Sequence, residues 1–265
     1  MDGKCREALG WLPRMVDIPQ PWVYADAKLD HVIHLRWRIH SRIPYEHPVL
    51  AIERPDQLQL RLNGKPVEIK VNGYYADRAI HTLPLPPLQV GENILEADVQ
   101  IGINWGVEWA YILGDFGVEC YGRKVEIVQA PTELAFGDIT SQGLPFYGGN
   151  ITYHIPFTSQ GGQLTVRSPQ YRGGLQMAQL DDGKELPLTY APCKAELGAV
   201  PAGDHTLHLT LYGHRRNSFG PVHTTDLASK RHSPLSWFTT GDNWRYDYCL
   251  VPEGIMTTPM ISEQT

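Results

Sequence analysis

The amino-acid sequence predicts an all-β protein made of two tandem antiparallel β-sandwiches with a short N-terminal helical arm. In several stretches apolar residues recur at every second position, which is typical of strands with one buried face. Turn dipeptides such as Asn-Gly and Gly-Gly separate these stretches. The 265 residues include 25 glycines and 21 prolines, which favours short strands joined by tight turns over long helices. This length accommodates two medium-sized domains.

The first predicted domain, residues 23–130, follows an arm and linker over residues 1–22. Residues 4–15 predict one short helix that ends near a proline. The predicted strands follow in chain order: Ile33, Leu35, Trp37 and Ile39 alternating with polar residues, Leu58–Leu62, Val67–Val71, His81–Leu85, Ile94–Ile101 and Lys124–Val128. Asn63-Gly64 predicts a tight hairpin, because both residue types tolerate positive φ.

The segment Gly102–Gly122 is unusually rich in aromatic residues and glycine. Residues 111–119 predict a closing strand of the first sandwich, with two glycines as kinks or bulges. Residues 104–109 predict a loop that presents rings to solvent.

A linker rich in proline and glycine, residues 131–149, leads into the second predicted domain, residues 150–265. Its predicted strands are Tyr153–Phe157, Leu164–Arg167, Leu175–Leu180, Thr206–Tyr212 and Arg245–Val251. A long loop runs from Gly213 to about Asn243. The two domains share an order of turns. Internal duplication and the turn usage common to antiparallel sandwiches both explain it, and both stay open.

Composition excludes several classes of protein. The 23 basic and 29 acidic residues give a net charge of -6, which argues against nucleic-acid binding, since that needs a basic surface. No apolar run approaches the roughly 20 residues that span a bilayer. Without an apolar leader we expect a cytoplasmic protein, or an extracellular one if a leader was removed. The 4 cysteines have no CxxC spacing and predict free thiols, although a disulfide stays open.

Aromatic and polar loop residues are the strongest functional signal. Sugars stack their flat C–H faces on aromatic rings and hydrogen-bond to planar polar side chains. The candidates in the first domain are Tyr74, Tyr75, Trp105, Glu108, Trp109 and Tyr111. Those in the second are Tyr171, Arg172, His214, Arg215, Arg216, Asn217, His223, Trp237 and Trp244. Alternatively, several rings belong to the core, and residues 215–217 and 223 hold the long loop through backbone carbonyls.

No catalytic residue and no metal site are predicted. A glycosidase needs two carboxyl groups roughly 5–10 Å apart, and no spacing forces Glu108 and Asp115 to face each other. His205 and His208 are three apart on a predicted strand, so they point to opposite faces and are poor co-ligands. Motifs for zinc peptidases, serine hydrolases and nucleotide binding are missing from the sequence.

The order of these motifs resembles a known family. NGKPV, VGENILEADV and EWAYILGDFGVE are similar to galactose-binding-like β-sandwich domains found beside the catalytic barrel of family 2-type and related bacterial glycoside hydrolases. GLPFYGGNITYHIPF resembles the opening strand of such a domain. GHRRNSFGPVH (213–223) resembles an Asn-x-x-Gly-Pro-x-His loop of their C-terminal modules, and GDNWRYDYCLVPEGIMTTPMI resembles their closing strand. The resemblance covers roughly residues 20–260 and includes no counterpart of the barrel.

This resemblance implies two jelly-roll, galactose-binding-like domains that bind carbohydrate or support a glycoside hydrolase without catalysis of their own. The implied partners are an oligo- or polysaccharide and a catalytic glycoside hydrolase domain. No cofactor is implied except a structural Ca²⁺ ion, which is common in that fold, although the sequence has no DxDxDG-like loop.

Two other functions stay open. A structural or protein-interaction module that docks on a catalytic barrel predicts a contiguous exposed apolar patch. A small glycoside hydrolase with an unrecognised carboxylate pair predicts a cleft in which two acids face each other.

Overall fold

The computed structural model describes residues 2–11, 28–102, 107–226 and 241–264. In these ranges the protein is nearly all-β, with two short α-helices, α1 (Asp2–Ala8) and α2 (Arg216–Phe219). None of the helices described is long and apolar enough to cross a membrane. The chain divides into two compact units. The first contains the residues up to 130 and residues 241–244, and the second contains residues 131–226 and 245–264.

Strands of the first unit form two sheets. They are β1 (His31–Ser41), β2 (Val49–Glu53), β3 (Leu58–Leu62), β4 (Lys65–Pro66), β5 (Gly73–Tyr75), β6 (Asp77–Pro84), β7 (Gly91–Ile101), β8 (Ala110–Leu113), β9 (Gly117–Tyr121) and β10 (Lys124–Val128). A six-stranded sheet has the order β4-β3-β7-β1-β10-β9, and a four-stranded sheet has the order β5-β6-β2-β8. β1 and β10 pair in parallel, and the remaining pairs are antiparallel.

Both sheets of the first unit contribute to one apolar core. Leu60 and Leu95 enter it from the six-stranded sheet, and Leu50 and Leu83 from the four-stranded sheet. Each fully buried leucine stabilises the fold by about 1.5–3 kcal/mol. The alternation predicted for β1 is confirmed, because Ile33, Leu35, Trp37 and Ile39 pack on this core while the even-numbered positions are exposed.

The outward face of the six-stranded sheet is a ladder of charge pairs. Arg36 contacts Glu96 at 2.8 Å, and Asp98 contacts Arg61 at 3.1 Å and His34 at 2.6 Å. Exposed pairs of this kind contribute about 0–1 kcal/mol each. This face is therefore a solvated surface whose charges are mutually satisfied.

The hairpin predicted at Asn63-Gly64 is confirmed. Asn63 has φ 51° and Gly64 has φ 76°, as expected of a mirror-image turn between β3 and β4. The fully buried Asn93 secures the hairpin, since its Oδ1 accepts hydrogen bonds from Asn63 Nδ2 (3.1 Å) and from the Gln89 backbone N–H (2.9 Å). Asn63 Oδ1 in turn accepts one from the Ile94 N–H (2.8 Å).

The strand predicted over residues 67–71 is wrong. β4 ends at Pro66, whose nitrogen cannot donate to the sheet ladder, and Val71 is exposed. β2 was not predicted, because it is a short apolar run buried on both faces and lacks alternation.

The single closing strand predicted over residues 111–119 is also wrong, because the segment divides between β8 and β9 in different sheets. Tyr45 holds the corner between them. Its hydroxyl oxygen accepts a hydrogen bond from the Asp115 N–H (2.7 Å). A Cβ on Gly114 would come within 2.7 Å of the Tyr45 ring, so this position requires glycine.

Strands of the second unit form three smaller antiparallel sheets. They are β11 (Ile151–Ser159), β12 (Gly162–Arg167), β13 (Tyr171–Arg172), β14 (Leu175–Leu180), β15 (Leu186–Pro187), β16 (Lys194–Val200), β17 (Gly203–Tyr212), β18 (Gly254–Ile255) and β19 (Met260–Gln264). The sheet orders are β11-β17-β14-β15, β16-β12-β19 and β13-β18. The two units therefore differ in sheet composition.

The core of the second unit includes part of the segment predicted as a linker. Leu207 and Val166 are fully buried at its centre. Within residues 131–149, Phe136 stacks on Tyr153 with ring centroids 4.9 Å apart. Ile139 is also buried. Residues 131–149 thus pack as part of the second unit.

The last strand predicted, residues 245–251, is wrong. Backbone groups of this segment form hydrogen bonds with a loop and not with a neighbouring strand. For example, the Cys249 N–H donates to the Val222 carbonyl (2.7 Å). The chain instead closes with β18 and β19, which belong to different sheets. All four cysteines are free thiols, as predicted.

Candidate functional site

The sugar-binding residues predicted in the first unit are only partly exposed. Tyr74 and Trp109 present rings to solvent, with 60% and 50% of their surface exposed. Tyr75 is less exposed and packs on Tyr111, with ring centroids 5.6 Å apart. Trp105 lies outside the described residues. An isolated exposed ring is a normal surface feature, so these positions alone do not define a site.

Glu53 and Glu108 both line a small recess in the first unit, together with Arg54 and the core residue Trp37. Its cavity volume is about 20 Å³, which is room for about one water molecule. Burial, reinforced by nearby negative charge that includes both glutamates, raises the pKa of Tyr111 to about 12. The recess is too small to admit a sugar ring.

In the second unit, the loop of residues 213–223 is held by its own polar side chains. Asn217 is 3% exposed. Its Nδ2 donates to the Val251 carbonyl (2.9 Å), and its Oδ1 accepts from the Val251 N–H (3.0 Å). Arg216 Nη1 donates to the Pro221 carbonyl (2.9 Å). These contacts match the alternative in which Arg216 and Asn217 hold the loop.

His214 contributes to the same anchoring through a buried carboxylate. Its backbone N–H donates to Glu253 Oε1 at 2.9 Å, and Glu253 is 2% exposed. The Glu253 N–H donates to Asp138 Oδ1 (3.2 Å), which joins the loop to the start of the unit. Burial raises the pKa of Glu253.

Two other residues of the predicted loop site, Arg215 and His223, lie against aromatic rings. The Arg215 guanidinium lies 5.9 Å from the Phe219 ring centroid. The His223 ring lies 4.6 Å from the Tyr248 ring. Arg215 is exposed and His223 is partly exposed, so both can reach solvent-borne ligands.

The remaining predicted residues are dispersed. Tyr171 donates its hydroxyl to the Thr189 carbonyl at 3.4 Å. Arg172 is exposed on β13. Trp244 belongs to the first unit. Trp237 lies outside the described residues.

Other polar residues converge where β11 and β17 run beside the turn that follows β14. Here the second unit has an open depression of about 390 Å³. Its lining consists of Pro156, Phe157, Thr158, Asp181, Asp204, His205 and Thr206. We call it the β11–β17 depression. Its volume lies in the roughly 300–1,000 Å³ range of small-molecule sites.

The strand register explains this convergence. Pro156 lies opposite Thr206, and Thr158 lies opposite Asp204. The Asp181 carboxylate joins them from the turn, because its Oδ1 accepts a hydrogen bond from the Thr206 N–H at 2.8 Å.

Asp181 and His205 form the charged centre of the depression. Asp181 Oδ2 lies 2.7 Å from His205 Nδ1, and His205 Nε2 lies 3.1 Å from the Pro201 carbonyl. The hydrogen bond to Asp181 raises the pKa of His205, and the same bond lowers the pKa of Asp181. The side chain of His205 is only 11% exposed, so it positions Asp181, of whose side chain 47% is exposed.

The rest of the depression combines an acceptor with apolar surface. Thr158 Oγ1 donates to Asp204 Oδ1 at 2.8 Å. The Phe157 ring lies 5.9 Å from the His205 ring, with a 33° tilt between the planes. Carboxylates and hydroxyls beside carbon-rich surface suit a small polyhydroxylated ligand.

None of these lining residues was predicted to belong to a site. Asp181 and Asp204 fall just outside the predicted strands, and His205 was considered only as a poor metal ligand. Their shared feature in the sequence is that each acid sits at a turn next to a strand. Which turns meet depends on the pairing of β11, β14 and β17, and sequence spacing does not reveal it.

Metal-binding clusters of three or more side chains are not found in the part of the chain that the structure describes. No group of three or more His, Cys, Asp or Glu side chains is placed there to hold one ion.

Comparisons with known proteins include a distant structural likeness. No family model matches the sequence, and no curated protein matches it. The solved structure of a rhamnosidase from Novosphingobium sp. PP1Y aligns with 97% of this chain, at 16% sequence identity and a TM-score of 0.34. This chain spans 26% of the length of that rhamnosidase.

Proposed function

We propose that the protein is a non-catalytic carbohydrate-binding or accessory module with jelly-roll, galactose-binding-like domains. We further propose that the β11–β17 depression is its sugar site. The observation that carries the proposal is the convergence of Asp181, Asp204, Thr158 and His205 beside the Phe157 ring in one open depression. The proposed ligand is an oligo- or polysaccharide.

Sugar chemistry matches this set of groups. A carboxylate accepts two hydrogen bonds and can therefore bind adjacent hydroxyls of one sugar ring. Asp181 and Asp204 are both held by neighbouring donors, so they lose little conformational entropy when a ligand binds. Such preorganised acceptors at an open depression favour a chain-like glycan that crosses the surface.

The same contacts favour binding over hydrolysis. The general acid of a glycosidase must hold its proton near neutral pH, so its pKa is raised. At Asp181 the hydrogen bond from His205 lowers the pKa instead. Asp181 therefore stays ionised, as a hydrogen-bond acceptor should.

The test compares an aspartate that lines the depression with an exposed aspartate that does not. We expect titration calorimetry against plant and bacterial polysaccharides to find a ligand, and Asp204→Ala to weaken that binding at least tenfold. Asp182→Ala is the matched control, because Asp182 is exposed, directly follows the lining residue Asp181 in the chain and does not itself line the depression. It should bind like the unmodified protein.

Two results would contradict the proposal. Failure to bind any glycan of a broad panel would remove the binding function and favour a module that docks on another protein. Normal binding by Asp204→Ala, combined with loss of binding in Trp109→Ala, would move the site to the first unit.

A small glycoside hydrolase is the less well supported alternative: Glu53 and Glu108 line one recess, but that recess is too small to admit a sugar ring. Turnover of chromogenic aryl glycosides that is lost in both Glu53→Gln and Glu108→Gln would establish it. Lack of turnover with the intact protein would exclude it for those substrates.

A further inference from the structure

Two histidines of the second unit meet side by side on neighbouring strands. His154 of β11 lies directly opposite His208 of β17 in the antiparallel register. Their Nδ1 atoms are 2.7 Å apart. The rings meet edge to face, with centroids 4.8 Å apart and planes at 80°.

Strand geometry places this pair on the outer face of the sheet. Side chains alternate between faces, so His208 points away from the buried Leu207 and Leu209 on either side of it. His154 is exposed, and β11 is an edge strand. The Nδ1 atoms of both histidines can therefore be approached from solvent.

We propose that His154 and His208 form a two-imidazole binding site for a divalent transition-metal ion such as Cu²⁺, Ni²⁺ or Zn²⁺. The remaining coordination positions would be filled by water or by an external ligand. Neutral imidazole is a favoured ligand of these metals, and Mg²⁺ and Ca²⁺ prefer oxygen. His205 and His208 are poor co-ligands by their spacing, and His205 is already hydrogen-bonded to Asp181.

Only small adjustments separate the observed arrangement from a chelate. Two ligands about 2.0–2.1 Å from Zn²⁺ at a tetrahedral angle are about 3.3 Å apart. The Nδ1 atoms would therefore move apart by about 0.6 Å, which small side-chain rotations supply. At present one Nδ1 donates its hydrogen to the other. Each ring would instead carry its hydrogen on Nε2, by exchange with water.

The site is distinct from the proposed sugar-binding residues. Pro156 and Thr206 line the β11–β17 depression, whereas His154 and His208 lie one pair further along the same face. Metal binding and glycan binding are therefore measured separately, and failure of one leaves the other standing.

The experiment is a titration of the chelator-treated full chain with CuCl₂, NiCl₂ and ZnCl₂, and with CaCl₂ as the oxygen-preferring control. We expect one saturable site, with Cu²⁺ binding most tightly, as the Irving–Williams order requires. His154→Gln and His208→Gln should each weaken binding at least tenfold. His34→Gln is the matched control, since His34 is also an exposed strand histidine with a close partner, Asp98. It should bind as the unmodified protein does.

Paramagnetic resonance of the Cu²⁺ complex adds a structural measurement. The intact site should show two coordinated nitrogens, and His154→Gln should show one. Because His154 is exposed on an edge strand, this variant should fold even if His208→Gln does not. The proposal is wrong if His154→Gln binds Cu²⁺ within twofold of the unmodified protein, or if no titration saturates.

Discussion

Replacing Asn217 by alanine should selectively destabilise the second unit. The buried Asn217 amide makes two hydrogen bonds to the backbone of Val251, 34 residues away in the chain. Leaving the partner of such a bond buried and unpaired costs about 1–3 kcal/mol. Asn217→Ala leaves both the N–H and the carbonyl of Val251 without their side-chain partner. We therefore expect the free energy of unfolding to fall by about 3 kcal/mol. For a unit of this size that lowers the unfolding midpoint by roughly 10 °C.

Scanning calorimetry measures this loss, and hydrogen exchange locates it. Peptides from β17 should exchange faster in Asn217→Ala, and peptides from β7 of the first unit should not change. Asn150→Ala is the matched control, because Asn150 is exposed. Its effect should stay within about 0.5 kcal/mol. A loss below about 0.5 kcal/mol in Asn217→Ala, or equal acceleration in both units, would refute the assignment of Asn217 as a tether of the loop.

Three further predictions concern ionisable groups. Burial raises the pKa of Glu253 above its usual 4.5, so the folded state binds its proton more tightly and stability should fall as pH rises from 4.5 through the raised value. Urea unfolding across this pH range should show that the free energy of unfolding falls less with pH in Glu253→Gln than in the unmodified protein. Identical pH dependence in the two proteins would contradict this prediction. The pKa of Tyr111 is raised to about 12, so Tyr111→Phe should remove a phenolate absorbance step near pH 12 and leave the rest of the tyrosine absorbance titration unchanged. Burial raises the pKa of Cys120 to about 11, so iodoacetamide should modify it at pH 8 far more slowly than an exposed thiol. Alkylation at the rate of a free thiol would contradict that.

The sequence was most informative about single strands and local turns. Alternation identified β1, and β10 and β14 match their predicted bounds. Asn63-Gly64 identified a hairpin whose backbone angles are those predicted. These features depend on residues close together in the chain, whose intrinsic preferences act before any tertiary contact forms.

Two predictions failed where a distant residue decided the local structure. The corner between β8 and β9 depends on the hydroxyl of Tyr45, 70 residues before Asp115. Residues 245–251 form no strand because their backbone groups pair with the loop of residues 213–223, through contacts such as that of Asn217 with Val251. Neither partnership leaves a periodic signal in the sequence.

The amino-acid sequence alone determined the nearly all-β character and the alternation of buried and exposed residues along strands such as β1. Tertiary structure alone decided which polar side chains meet. The register of β11 against β17 places Thr158 opposite Asp204 and His154 opposite His208. The physical reason is that composition and periodicity specify which face of a strand is buried. Strand pairing specifies which residues become neighbours, and it is settled by the packing of the whole unit.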